Sequence, residues 1–214
     1  MPKSFIAVLD HEHLENSIFL TSFARSLAKH GDRKGIIVHG DSPYTDRLIQ
    51  TGMMREDARL RAIKDLNKRL IGLFADQGVA TIGIHGFQKG LIKKEANDIN
   101  LDMDALNDFH KAPNLLISNL VEENGESVHV PLTDFTRSLS ESLTETEILI
   151  FSKNEKDDIL ISETDMKLSW SDISNEFAEA SLPKEFHDFG YPLKMTTATD
   201  FANWPNLKKV THIR

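Results

Sequence analysis

Cysteine is absent from the chain, so disulfides, thiolate metal sites and cysteine nucleophiles are excluded together. No stretch reaches the roughly eighteen consecutive apolar residues that a membrane span requires. The opening MPKSFIAVLD also lacks the apolar run of a signal peptide, so a soluble cytoplasmic protein is the expectation. Walker A, G-x-G-x-x-G, G-x-S-x-G and H-E-x-x-H patterns are missing too, which sets aside P-loop, dinucleotide, elbow-serine and zincin chemistry.

Positive charge is in deficit: 25 Lys and Arg stand against 33 Asp and Glu, a formal net charge of −8. That balance argues against general nucleic-acid binding. The deficit is unevenly spread. Residues 29–94 hold 13 basic and 7 acidic residues, net +6, whereas residues 95–188 hold 6 and 22, net −16. The basic stretch suits an anionic ligand; the plain alternative is two solvated surfaces of opposite sign.

What is present is enough for a core: 214 residues, 40% hydrophobic and 27% charged. Short runs rich in Val, Ile and Leu at 4–9, 35–38, 79–84, 114–118, 148–152 and 209–213 read as buried strands. Helical spacing occupies 14–29, through Leu14, Ile18, Phe23 and Leu27, and 55–76, through Leu60, Ile63, Leu70, Ile71 and Phe74. Alternating strands and helices with short loops predict a three-layer α/β/α sandwich around a mostly parallel sheet. NGES at 124–127 reads as a hairpin turn attached to that sheet. Beyond it, NEKDD reads as an exposed turn, ILIS as a short strand, LSWSDISNEFAEA as a helix from about Ser169, and SLPKEFHDFG as loop. No repeat or linker divides the chain, so a single domain with two lobes, about 1–130 and 131–214, is expected.

Ligands of open parallel sheets gather at the carboxyl ends of the strands. Two His-Gly turns fall there, His39-Gly40-Asp41-Ser42 and His85-Gly86-Phe87-Gln88-Lys89. A glycine after a strand lets amides approach an anion, and Lys89 adds a charge. The pair His11 and His13 lacks a third nearby ligand, so no metal site is expected.

The strings GIIVHGDSPYTDRLIQTG (35–52), LNKRLIGLFADQGVATIGIHGFQKGLI (66–92) and NLLISNLVEENGESVHV (114–130) resemble the amino-acid kinase superfamily, and the acetylglutamate and other N-acylglutamate kinases within it. That family carries an H-G-G-G strand end, a V-N-K helix, a G-L-[ST]-G turn, an acidic-Gly hairpin and a late G-M-I-P-K. The resemblance spans about residues 5–213 in register. It implies that His39, Gly40, Asp41, Ser42, Arg55 and Asn67 bind substrate. It assigns Gly86, Lys89, Ser152, Lys153 and Gly190 to phosphate or nucleotide, and Lys194 and Asp134 to catalysis. Lys194, in Gly190-Tyr191-Pro192-Leu193-Lys194, takes the place of a phosphoryl-facing lysine at a helix start.

The sequence also departs from the pattern. The K-x-G-G strand end corresponds to Ile6–His11, with no lysine or glycine. The N-x-N-A-D element corresponds to His129–Thr133, with Asp134 one place further on, where a first-turn helix acid is the alternative role. A T-D pair becomes Ser152-Lys153, and Asn67 has a second reading as a buried core amide. Two functions therefore stand open. One is a degenerate relative that keeps the fold and binds a small N-acylglutamate-like ligand or a partner. The other is an active kinase of arginine biosynthesis that uses Mg-ATP to phosphorylate an N-acylglutamate side-chain carboxylate. The resemblance further implies a homodimer through residues 44–72, with neither nucleic acid nor membrane as partner.

Overall fold

A computed structural model describes residues 4–30, 35–109, 114–143, 145–153 and 167–214. The first half runs β1 (Ser4–Leu9), α1 (Ser17–Ala28), β2 (Gly35–His39), α2 (Tyr44–Gln50), α3 (Arg55–Asp76), β3 (Thr81–His85), β4 (Ile92–Glu95), β5 (Asp98–Leu101), α4 (Met103–Asn107) and β6 (Asn114–Ser118). The second half runs β7 (Leu120–Glu123), β8 (Glu126–His129), α5 (Leu132–Ser142), β9 (Thr146–Phe151), β10 (Lys167–Leu168), α6 (Asn175–Ser181), β11 (Leu193–Thr196) and β12 (Val210–Ile213).

Eight strands form one sheet in the order β10-β12-β11-β9-β1-β2-β6-β3. The block β11-β9-β1-β2-β6-β3 is parallel throughout, and β12 turns back antiparallel to β11. The sheet crosses residue 131 without interruption, since β9 pairs with β1. Parallel strands at the centre are buried on both faces, which is why β1, β6 and β9 read as unbroken apolar runs. The three-layer α/β/α expectation describes this architecture.

One face of the sheet packs α1 and α3 over Phe5, Leu9, Ile37 and Leu116. Its centre is Phe23, fully buried, with ring centroids of Phe74 at 5.8 Å and of Phe151 and Phe201 each at 5.3 Å. The other face packs α5 and the segment around Phe186 and Phe189 against Ile6, Val38, Ile148 and Ile150. Helix α3 approaches β3 closely because Gly83 has no side chain. A Cβ there would lie 2.2 Å from Ile71 Cδ1 and 2.7 Å from Asn67 Oδ1.

Several expectations need correction. The NGES hairpin forms, with left-handed φ at Asn124 and Gly125 in the manner of a type I′ turn, but it joins a separate four-stranded sheet, β5-β4-β7-β8. The hairpin β4–β5 has the polar string IKKEANDINL, whose mostly exposed residues carry little apolar alternation. The helix expected from Ser169 begins later: Trp170–Asp172 is a single 3-10 turn, and α6 starts after Ser174, whose hydroxyl accepts from the Phe177 amide. The stretch from Ser181 to Gly190 is no surface loop, since it buries Leu182, Phe186 and Phe189. The NEKDD turn and the ILIS strand fall outside the described residues. No helix among the described residues is long and apolar enough to cross a membrane.

Truncating a fully buried phenylalanine leaves a cavity and removes its dispersion contacts, at a cost of about 3–5 kcal/mol. Phe23→Ala is expected to lower stability by that amount, whereas Ile18→Ala on the same helix, at a residue 75% exposed, changes it little. Urea denaturation midpoints measure both.

Candidate functional site

The parallel strands deliver six loops to one edge of the sheet, those that follow β1, β2, β3, β6, β9 and β11. Directly after β1 stands Asp10, only 1% exposed. Its Oδ1 accepts the amides of Glu12 at 3.0 Å and His13 at 3.3 Å, and its Oδ2 meets His13 Nδ1 at 2.5 Å. The other ring nitrogen of His13 lies 3.2 Å from the Ser152 carbonyl at the end of β9. Burial pulls the His13 pKa down, but the hydrogen bond and charge of Asp10 outweigh it and leave the pKa above its ordinary value. His13 is therefore clamped between two strand ends and committed to Asp10, with its protonated form favoured.

The loop after β2 repeats the device. Asp41 Oδ1 accepts the Ser42 amide at 2.7 Å and the Thr45 hydroxyl, while Oδ2 meets Arg59 Nε of α3 at 3.3 Å. Arg59 also reaches Glu56 at 3.2 Å. His39, fully buried, places Nδ1 3.2 Å from the Gly40 carbonyl and Nε2 3.0 Å from Asn67 Nδ2. Asn67 donates as well to the Ile84 carbonyl at 3.3 Å, so the two side chains form one buried polar pair joining β2, α3 and β3.

After β3, the Gly86 amide donates to the Ser118 carbonyl and the Phe87 amide to the Leu120 carbonyl, at 3.2 and 2.7 Å. A Cβ on Gly86 would sit 2.6 Å from the Leu120 carbonyl oxygen, so that glycine serves chain crossing. The His85 ring stacks on Phe87 at 5.6 Å and places Nδ1 2.8 Å from Ser118 Oγ. Five amides at this edge, those of Glu12, His13, Ser42, Gly86 and Phe87, thus have internal acceptors.

The remaining residues singled out from the sequence are dispersed. Ser152 is buried, with its amide on the Thr196 carbonyl, and Lys153 Nζ lies 3.7 Å from Glu12. Lys89 extends over the Phe109 ring at 5.1 Å. Arg55 is exposed at the first turn of α3, and Asp134 lies in the first turn of α5, 3.9 Å from Arg137. Lys194 is not at a helix start. It lies within β11, level with Leu149, and its ammonium pairs with Glu147 toward the amino end of the sheet. Gly190, at φ 67, stands in the turn that leads to that same end. The structure therefore separates Lys194 and Gly190 from His39, Asp41 and Gly86.

Sequence reasoning did not single out Asp10 as a loop-closing group or Arg59 as the cation that pairs with Asp41 at the next loop. An aspartate directly after a strand, whose side chain can accept the amide two residues on, is a signal for such a turn. Among the described residues, no group of three His, Asp or Glu could hold a metal ion.

No family model matches the chain, and no curated protein matches it either. Solved structures do share its fold. An isopentenyl phosphate kinase in a substrate complex has a TM-score of 0.59 at 12% identity, with all of both chains covered. Giardia carbamate kinase gives 0.58 at 11%, over 100% of this chain and 99% of that one. Aspartate kinase from Synechocystis gives 0.68 at 10%, over 98% of this chain and 40% of that one. The chain thus has the fold of the amino-acid kinases.

Burial lowers the His39 pKa to about 4, against a small upward contribution from its bond to the Gly40 carbonyl. The unfolded imidazole, at about 6.5, takes up its proton first as pH falls. Stability from this residue is therefore complete above pH 6.5 and is lost as pH drops toward 4, by about 3 kcal/mol. His85, lowered to about 4 by burial and then by Lys64 and Lys68, acts with the same sign, while His13 acts with the opposite one. His39→Gln is expected to lose about 2–3 kcal/mol less than wild type between pH 7 and pH 4. Urea denaturation at the two pH values reads the difference; equal losses would refute this role for His39.

Proposed function

We propose that this chain is a kinase-fold protein that binds a small ligand or a partner in the cytoplasm and does not transfer phosphoryl groups. The observation that carries this reading is the placement of two carboxylates on loop amides. An amino-acid kinase stabilises developing phosphoryl charge with lysine and with open glycine amides. Here Asp10 and Asp41 occupy the amides of the β1 and β2 loops with their own oxygens. An incoming polyphosphate would have to displace them and then face their charge.

Three cations near the site are committed in the same way: His13 to Asp10, Arg59 to Asp41 and Glu56, and Lys153 to Glu12. Lys64, over the Phe87 ring, and Lys68 stand beside His85 at the β3 loop. A polyphosphate such as Mg-ATP therefore does not fit the β1 and β2 loops. The resemblance to acetylglutamate kinases supports an N-acylglutamate-like carboxylate as the ligand to test first, received by Lys64 and Lys68 beside His85 and away from Asp10 and Asp41. Its activity, phosphorylation for arginine biosynthesis, is the competing reading.

We also propose a homodimer formed through α3. Arg69, Gly72, Leu73 and Asp76 share one face at helical spacing, beside a cleft of about 390 Å³ between α1 and α3 lined by Leu20, Leu66 and Leu70. A twofold axis near Gly72 sets Arg69 against the partner's Asp76 twice over, and the glycine allows the helices to approach. Sedimentation equilibrium of wild type and Asp76→Arg tests it. A wild-type dimer that the variant dissociates is the expected result, and a monomeric wild type overturns the dimer.

Calorimetric titration with Mg-ATP and with N-acetylglutamate, followed by an ADP-release assay, tests the main reading. No Mg-ATP heat and no ADP release from folded protein are expected. Turnover of N-acetylglutamate would overturn it in favour of an active kinase.

A further inference from the structure

Strand β3 closes one side of the eight-stranded sheet, where it pairs with β6 alone. Backbone groups of a strand point alternately to its two sides. The Gly86 amide donates to the Ser118 carbonyl, which assigns the even-numbered residues of β3 to β6 and the odd-numbered ones to the open side. On that side the His85 amide is taken by the Gln88 side chain at 2.7 Å. The amides and carbonyls of Thr81 and Gly83 stay without a strand partner among the described residues. We propose that this edge docks an extended acidic segment of a partner protein, which adds a ninth strand along Thr81–Gly83 and sets its carboxylates on Lys64 and Lys68.

The flanking side chains select the partner. Thr81, Gly83 and His85 face α3, since a Cβ on Gly83 would lie 2.2 Å from Ile71 Cδ1 of that helix. Lys64 and Lys68 stand on the same side of the edge, where both charges act on His85. Asp65, the acid between them in sequence, lies 3.7 Å from Arg61, and neither lysine has a carboxylate partner among the described residues. On the opposite face Ile82 is 37% exposed. A strand that alternates acidic with β-branched residues therefore meets lysine on one face and isoleucine on the other.

A second copy does not suit this edge. Pairing β3 with itself across a twofold axis brings the lysines of both copies together, and lysine at a sheet edge is a known guard against self-pairing. A nucleic acid suits it no better, since it lacks the backbone donors and acceptors of a ladder, and the nearby Phe87 ring is already engaged by His85 and Lys64. By helical spacing Lys64 and Lys68 stand on a different face of α3 from Arg69, Leu73 and Asp76, so the edge is separate from the dimer face. The inference deepens the function proposed above by naming the partner, and it rests on that reading in taking Lys64 and Lys68 as the groups that receive a carboxylate.

The test is fluorescence anisotropy with a labelled short peptide in which glutamate alternates with valine, together with amide exchange of the protein by NMR. Saturable binding that slows exchange at Thr81 and Gly83 is expected, and added salt weakens it. A peptide with lysine in place of glutamate, and a fully N-methylated copy that cannot donate to the ladder, are each expected to bind at least tenfold more weakly. Thr81→Pro removes one edge amide and leaves the lysines, while Lys64→Glu with Lys68→Glu reverses the charge and leaves the edge. Each variant, shown to be folded, is expected to weaken the peptide at least tenfold. Equal binding of the N-methylated peptide, or binding that Thr81→Pro leaves unchanged, overturns strand addition. Equal binding of the lysine peptide overturns the acidic partner, and binding of a short single-stranded RNA in place of the peptide reassigns the edge to nucleic acid. Thr81 and Gly83 amides already protected in the free protein overturn the inference, because the edge is then paired. Absent peptide binding without ADP release overturns this inference alone, whereas ADP release from N-acetylglutamate overturns the function on which it rests.

Discussion

The carboxylate of Asp10 is the contact on which the candidate site depends. It follows the central strand, closes the next loop by accepting two amides, and holds the His13 ring against the end of β9. A buried charge is tolerated only when it is paired and hydrogen-bonded, and Asp10 satisfies both conditions with groups within three residues of itself. The same arrangement ties β1 to β9, the junction of the two halves of the sheet. The order of this loop and the occupation of its amides therefore come from one side chain.

Asp41 extends the principle to the neighbouring loop through Thr45 and Arg59. Between them the two aspartates act as resident anions at the carboxyl edge of the sheet, where ligands of open parallel sheets gather. The fold itself is unaffected, because the sheet, its two faces and the His39–Asn67 pair beneath the loops do not require a phosphate. Fold alone does not fix function here: the architecture aligns with three kinds of kinase, and the proposed reading against phosphoryl transfer rests on the loop chemistry.

Much of the architecture was legible in the sequence because central parallel strands are buried on both faces. Runs such as SFIAVL and NLLIS admit few other readings, and the apolar stripe of α3 has the bounds that the structure shows. Strand β11 was not legible. LKMT is short and mixed in polarity, and its likeness to a late kinase motif drew Lys194 to a helix start when it belongs to a strand. The hairpin β4–β5 escaped for the related reason that exposed polar strands lack apolar alternation. Asn67 is the case in which two readings could be weighed from the residue alone, and its two hydrogen bonds place it in the core. The capping by Asp10 and Asp41 was the least legible feature, since a charged residue after a strand shows where a ligand would sit without showing which amides it occupies.

The most direct measurement follows the amides themselves. Backbone NMR of the wild-type protein, titrated with inorganic phosphate and then with Mg-ADP, reads the Glu12, His13 and Ser42 N–H groups individually. If the aspartates occupy these amides, their resonances stay in place through millimolar additions of either ligand. Saturable shifts at Glu12 and Ser42 would contradict the account and return the site to phosphate binding.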